Sequence, residues 1–491
     1  MIDPEVPRLA RGMWKRFVAA ATLIVLLTGG ATATAGLLEV GDFASELNRQ
    51  PQRLNVADVI TPAEAGAPQT LLLLGSDSRV ADRRRGIRGN SDTMILVRLD
   101  PNKDATAVMS IPRDLKVAIP LPNGGVTSDK INQAYAIGGP RLTLRTIKRV
   151  LGIDINHVVN VNFRGFREAV NSVGCVYVDV DRRYFNDNPY AYATINVQPG
   201  YQKMCGEKAL DYVRFRHEDN DLVRAARQQD FLRQAKDQVG VRRIIEDRRG
   251  FARLFARYSE TDIRGATEIL RLFKLVAFSA GHPIREVHFR TRIGPSFVIS
   301  TQAQLDAVVD EFLNAQDSPG PRGSLASTAG ERQAARRRRP LPKAPLGLEN
   351  AKTFGEDQAI EASAQVRLPV LYPRLRTRSS VYVDVPRTYV LQDNEGRRHE
   401  AYRMVIKKGT VGEYYGVQGT SWLYPPILSN PSETRRIGAR SYQLFYDGDR
   451  LRLVALRTPR GVYWVSNSLL LSVSNRQMLA IARSLRPVGP S

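Results

Sequence analysis

Apolar positions along the chain fall into short runs with polar joints between them. Leu71–Leu74, Thr93–Leu99 and Thr106–Ile111 are near-continuous apolar stretches of strand length, the pattern of strands buried on both faces. Asn132–Leu151 carries apolar residues at Ile137, Leu142, Leu144, Ile147, Val150 and Leu151, which predicts a helix, with a break and restart at Gly138-Gly139-Pro140. Val158–Phe163 and Cys175–Val180 read as strands, Arg164–Asn171 as a short helix and 186–199 as a polar, aromatic loop. Gly206–Tyr212 reads as a helix entering an extended Val213-Arg214-Phe215-Arg216, followed by a longer helix, Leu222–Gln238. A strand at Glu286–Arg290 and a helix at Gln302–Asn314 close this unit. Strands at Val381–Val385, Tyr402–Lys407 and Tyr442–Phe445, a hairpin of Leu451–Leu456 with Val462–Ser466, and a helix at Asn475–Ser484 make a second unit.

Between the units, residues 316–365 are rich in Pro, Gly, Ser and Arg and predict a linker, with Arg336–Arg339 as a solvated charge run. At the other end, Arg8, Arg11, Lys15 and Arg16 precede an uncharged apolar stretch, 17–38. About 22 residues at ~1.5 Å each cross a ~30 Å hydrocarbon layer. The basic flank places 1–16 in the cytoplasm and everything after the span outside. A cleaved signal peptide ending near Ala33-Thr34-Ala35 is the competing reading, and it exports the protein equally. Residues 39–67 read as a stalk, 68–315 as the first globular unit and 366–491 as a small accessory domain.

The formal charge of +23 calls for a polyanionic partner, and export excludes nucleic acid in favour of a membrane surface or an anionic wall polymer. In that compartment the two cysteines, Cys175 and Cys205, are either a disulfide or a pair of buried thiols. No GxxxxGK[ST], HExxH, CxxC or GxSxG motif is present. His157 and His288 sit in strand-like runs and read as structural, while His217, directly after Arg216, stays open as a participant.

The chemistry concentrates where elements end. Leu71–Leu74 runs into Gly75-Ser76-Asp77-Ser78-Arg79, and Asp92 opens the next apolar run. Two carboxylates at adjacent strand ends suit one hard cation. Arg79, Arg88, Arg113, Arg214, Arg216, Arg224 and Arg227 also stand at element ends, and the planar guanidinium suits paired phosphate oxygens. Alternation puts Arg214 and Arg216 on one side of an extended segment, and Arg224 and Arg227 share a helix face. Together these residues point to phosphoryl transfer, where charge neutralisation does most of the work.

The ordered segments LLLLGSDSR, SDTMILVRLD, VMSIPRDL, KINQAYAIGGP, VNFRGFREAVNSVGCVYVDV and ALDYVRFRHEDNDLVRAARQQ resemble the LytR-CpsA-Psr (LCP) family over roughly 68–315. The resemblance implies an α/β fold, a three-layer α/β/α sandwich after an N-terminal transmembrane helix. The 366–491 unit lies outside it and is expected to be α+β. It implies a membrane-anchored extracytoplasmic phosphotransferase that moves a glycopolymer from a polyprenyl-pyrophosphate carrier to a peptidoglycan acceptor, with magnesium. Position by position, Asp77 and Asp92 match the metal acids, Arg79 lies beside the first and Arg113 matches the IPRD arginine near the pyrophosphate. Arg214, Arg216, Arg224 and Gln228 match the remaining phosphate-facing pattern, and Arg88 stands near the place of a family arginine where this chain has Asn90. Two rivals use the same residues or charge: a hydrolase of the same lipid carrier, and a non-catalytic binder of anionic wall polymer.

Overall fold

The computed structural model describes residues 54–64, 66–76, 91–187, 194–215, 221–238, 257–263, parts of 268–294, 296–315, 347–409 and 413–488. Among the described residues no helix is long and apolar enough to cross a membrane, and the expected span, 17–38, lies outside them.

The first unit is mixed α/β. Its strands are β1 (Gln69–Ser76), β2 (Ser91–Leu99), β3 (Thr106–Ser110), β4 (Lys116–Pro120), β5 (Val126–Lys130), β6 (His157–Asn162), β7 (Val176–Val180), β8 (Tyr184–Asn186), β9 (Ile195–Val197), β10 (Gly200–Met204), β11 (Ser259–Thr261) and β12 (Ile284–Val287). A central six-stranded sheet has the order β11-β6-β1-β2-β3-β12. β1 runs parallel to β6 and antiparallel to β2, β2 is antiparallel to β3, and β3 is parallel to β12. The carboxyl ends of β1, β3, β6 and β12 therefore share one edge with the amino end of β2.

Period-two alternation explains the run of leucines in β1. Leu72 and Leu74 enter the main core with Met94, Leu96 and Met109, whereas Leu71 packs on the opposite face with Leu99, Leu272 and Leu275. The main core is closed by helix α1 (Gln133–Leu151) through Leu144 and Ile147, and by Val308 and Phe312 of the helix Gln302–Leu313. α1 breaks where the sequence requires it, at Gly139 (φ 64°, ψ −159°), just ahead of Pro140. Helices α2 (Phe163–Ser172), α3 (Gly206–Arg214) and α4 (Asp221–Gln238) build a second core with β7 and β10, around Val176, Val178, Tyr212, Phe215 and Phe231. Cys175 and Cys205 are joined by a disulfide, Cα–Cα 4.5 Å, between the approach to β7 and the start of α3.

Several expectations need correction. The stalk assigned to 39–67 ends early: Val56 is buried in the main core, with Leu54, Val59 and Ile60 against it. The i, i+3, i+4 spacing of Val56, Val59 and Ile60 is too short a signal to read as an element. The linker assigned to 316–365 also ends early. Leu348–Asn350 is a strand and Lys352–Ser363 a helix whose Ala359 and Ala362 are fully buried in the second unit. That helix presents alanines instead of large apolar residues to the core, so its buried stripe is faint. The β4–β5 hairpin was not expected at all, although Asn123-Gly124 is a strong turn signal. The polar loop 186–199 contains β9, paired with β8. The second unit, expected to be α+β, is mostly strands: a seven-stranded antiparallel sheet with the helices Lys352–Ser363 and Asn475–Arg483.

The two units share a buried boundary. Tyr177 and Tyr201, on β7 and β10, pack with Trp422, Ile427, Leu428, Phe445 and Trp464 of the second unit. The Tyr177–Trp422 and Tyr201–Trp464 ring pairs are edge-on, with centroids 5.1 and 5.6 Å apart. Asp179 Oδ1 accepts from Arg403 Nη1 at 3.2 Å and Oδ2 accepts from Trp464 Nε1 at 3.0 Å.

Candidate functional site

The candidate site lies at the sheet edge where β1 and β3 end and β2 begins. In the β1–β2 ladder Gly75 faces Thr93 and Ser76 faces Ser91, with a bulge between the two pairs. Asp92 therefore occupies the bulge, one residue from the start of β2, and Asp77 follows directly on the end of β1. Asp77, Arg79, Arg88, Arg216 and His217 lie outside the described residues, and Asp92 is described in its backbone alone. The backbone thus issues the two acids from adjacent strand ends. A glycine is needed at 75, because a Cβ there would stand 2.9 Å from the Thr93 Cβ.

Arg113 stands three residues beyond β3 on the same edge, where Ile111 N donates to Met94 O at 2.8 Å and so continues the ladder. Proline at 112 cannot donate to a ladder, so the chain leaves the sheet and the arginine is delivered at its rim. Arg113 is buried, with Nε 3.7 Å from Asp114 Oδ1, and Lys130 Nζ reaches the same oxygen at 3.0 Å. Lys130 and Lys116, both on the β4–β5 hairpin, stand over the Phe297 ring at 6.0 and 5.2 Å. The hairpin therefore adds positive charge beside Arg113 that sequence reasoning did not place.

Helices α3 and α4 supply the rest. α3 continues through Arg214, with Ala209, Leu210 and Tyr212 buried on its inner face, so the expected extended Val213-Arg214 is helical. The alternation argument for Arg214 and Arg216 fails for that reason. Arg214 Nη2 donates to Asp211 Oδ1 at 2.6 Å, and its guanidinium lies 5.8 Å from the Phe163 ring at the start of α2. Burial pushes the Asp211 carboxyl up, and the Arg214 guanidinium pulls it part of the way back. On α4, Gln228 Nε2 donates to Thr93 Oγ1 at 3.0 Å and to Val213 O at 3.2 Å. Gln228 thus ties α4 to the start of β2 and to the end of α3. Arg224, buried and four residues earlier, lies on the same helical stripe as Gln228.

Arg227 belongs to a different environment. It is fully buried, donates from Nη2 to the Phe215 carbonyl, and sits 4.6, 5.7 and 5.8 Å from the rings of Tyr184, Tyr212 and Phe215. It anchors α4 to the second core, and so does not share the Arg224 surface as its spacing suggested. Sequence reasoning also passed over Ser76, whose buried hydroxyl at the end of β1 has no hydrogen-bond partner among the described residues. Its place next to Asp77 was the available signal.

Gln228 ties α4, which carries Arg224, to the start of β2 and to the end of α3, which carries Arg214, while Arg113 follows the end of the neighbouring strand β3. Guanidiniums carried on neighbouring elements in this way suit a phosphate or diphosphate, which they hold by forked, charge-assisted hydrogen bonds.

The LytR_cpsA_psr family matches this chain over residues 39–306. The chain is similar to the polyisoprenyl-teichoic acid–peptidoglycan teichoic acid transferase TagU of Bacillus mycoides, 32% identical over 213 residues, covering 43% of this chain and 66% of the relative. An uncharacterised protein of Staphylococcus aureus is 34% identical over 169 residues, 34% of this chain and 41% of that protein. The chain thus spans less than two thirds of the length of these curated relatives. Among solved structures, TagV of B. subtilis has 27% identity and a TM-score of 0.41, covering 52% of this chain and all of that one.

Proposed function

This chain belongs to the LytR_cpsA_psr family, and from that premise we propose that it is a phosphotransferase that moves a glycopolymer from a polyprenyl-pyrophosphate carrier onto peptidoglycan. The observation that carries this reading is that Arg113 after β3, Arg214 at the end of α3 and Arg224 on the Gln228 stripe of α4 stand on elements joined around the edge where β1 ends and β2 begins. TagU of Bacillus mycoides, named for transfer of teichoic acid from a polyisoprenyl carrier to peptidoglycan, supports the same donor and acceptor classes.

In this reading a peptidoglycan hydroxyl oxygen attacks the phosphorus next to the sugar and its proton passes to solvent. The bond from that phosphorus to the bridging oxygen breaks, and polyprenyl phosphate leaves. Arg113, Arg214 and Arg224 bind the diphosphate oxygens and balance the charge that moves onto the leaving phosphate. Gln228 keeps α4 fixed to Thr93, so Arg224 keeps its aim while that charge develops. Asp77 and Asp92 would hold a magnesium ion, since carboxylates on neighbouring strand ends offer the hard oxygen donors it takes. Such an ion, when bound, supplies further neutralisation of the diphosphate. With 17–38 as a single membrane span, the site works outside the cytoplasmic membrane, beside the lipid carrier.

The test is transfer from a lipid-linked glycopolymer to peptidoglycan by the wild type and by Arg113→Ala. Loss of one charged contact lowers the rate ~10²–10³-fold, with the circular dichroism unchanged. Wild-type transfer by folded Arg113→Ala overturns the assignment. Release of free polymer at equal rates with and without peptidoglycan favours the hydrolase instead.

A further inference from the structure

A second group of ionisable residues lies at the boundary between the two units, where β12 ends beside β3. Glu286 and His288 are two residues apart, at and just beyond the end of β12, and so point to the same side. Asp447, at the end of the strand Arg440–Asp447 in the second unit, faces them. Glu286 and Asp447 are each 4% exposed. One oxygen of each carboxylate is already engaged. Glu286 Oε1 pairs with Arg233, while Asp447 Oδ1 accepts from Glu286 N at 3.4 Å and stands 3.6 Å from Arg285 Nη1.

The other two oxygens, Glu286 Oε2 and Asp447 Oδ2, stand 3.7 and 3.9 Å from His288 Nε2. Those separations are too long for hydrogen bonds. The Nε2 atom is buried and has no hydrogen-bond partner among the described residues. One ligand atom from each of the three residues lies within 4.8 Å of the others. Two donors on one ion, each ~2.0–2.2 Å from it, stand about 3–4 Å apart in tetrahedral geometry, which is the spacing found around Nε2. A small rotation of either carboxylate closes the remaining oxygen–oxygen gap.

We propose that Glu286, His288 and Asp447 form a site for a divalent transition-metal ion of the zinc or manganese class, which pins the second unit to the first. One imidazole nitrogen with two carboxylate oxygens suits zinc or manganese better than magnesium or calcium. Arg233 and Arg285 act as outer partners that fix the orientation of the carboxylates. They and Arg452 also place positive charge nearby, which weakens the site relative to one with neutral surroundings. The proposal does not rest on the phosphoryl-transfer reading: β12 ends on the same sheet edge, but none of the three residues is assigned to the diphosphate or to the Asp77–Asp92 pair.

The experiment titrates Zn²⁺ and Mn²⁺ separately into the chelator-treated full chain by calorimetry and follows the melting temperature alongside. One saturable equivalent of one of these ions with a rise in melting temperature is expected, persisting in Asp77→Asn/Asp92→Asn. His288→Ala, at a partly exposed position that a folded chain tolerates, weakens binding at least about tenfold, and Asp447→Asn does the same. Absence of a saturable equivalent for both ions overturns the proposal. So does an equivalent that survives His288→Ala in the Asp77→Asn/Asp92→Asn background, or the absence of any equivalent in Asp77→Asn/Asp92→Asn alone.

Discussion

Removing the carboxylate of Asp179 is the sharpest test of how the two units are held together. Asp179 is buried on β7 and is the described anionic partner of Arg403, whose guanidinium is fully buried in the second unit and also donates to Ser466 Oγ at 2.8 Å. Its other oxygen receives the Trp464 indole N–H. Asp179→Ala therefore strands a buried cation and an indole donor at once. Breaking a buried ion pair by removing one partner costs ~3–5 kcal/mol, most of it from the charge left behind. With a urea dependence of ~2 kcal/mol per molar, the unfolding midpoint falls by about 2 M. Tryptophan fluorescence is the natural probe, because Trp422 and Trp464 both line the boundary. Replacing Arg403 as well, in Asp179→Ala/Arg403→Met, removes the stranded charge and recovers at least ~2 kcal/mol, a coupling typical of residues in direct contact. A midpoint shift below about 0.5 M for Asp179→Ala, or strict additivity in the double variant, would refute the argument.

Three other outcomes follow from the same reasoning. Replacing both Cys175 and Cys205 by serine releases a loop of sequence separation 30. Chain-entropy arguments put the loss at ~3–4 kcal/mol, to be read from urea melts of oxidised wild type beside the variant. Arg227→Ala destabilises by ~3 kcal/mol or more, since it empties an aromatic cage and frees a buried carbonyl; unfolding curves of Arg227→Ala and Arg113→Ala then differ while transfer is lost in Arg113→Ala. Hydrogen bonding from His399, and then from Arg397, holds the Asp393 carboxyl well below its ordinary value of 3.8. A depressed folded-state value means the stabilisation is full above about pH 4 and disappears as pH falls below it. Asp393→Asn should thus flatten the acid limb of a stability–pH curve between pH 4 and 2, with little change in that slope near pH 7.

The order of elements was legible wherever periodicity ran long enough. β1, β2 and α1 announce themselves through apolar runs and a helical stripe, and Gly139-Pro140 marks the break in α1. Shorter or subtler patterns escaped. The turn around Val56, the alanine-faced helix Lys352–Ser363 and the β4–β5 hairpin bury too few large side chains to stand out, yet the hairpin sets Lys130 against Asp114 beside Arg113. Local reasoning also carried the wrong geometry into Val213-Arg214. There the inner face of α3 outweighed the alternation, because Tyr212 and Phe215 fill the second core.

What the sequence determined by itself is the set of chemical groups and their order: acids at the end of β1 and the start of β2, arginine after β3, and arginine with glutamine on one stripe of α4. Ladder register follows from side-chain alternation, so the meeting of those strand ends was nearly implied. The tertiary structure alone decided which like residues do unlike work. Arg224 shares the stripe of Gln228 at the sheet edge, while Arg227 is enclosed by three aromatic rings. Asp179, Glu286 and His288 acquire their roles only when a strand more than 150 residues away packs against them, as Asp447 does on Glu286. Burial and partner choice depend on contacts between distant segments, and no local pattern encodes those.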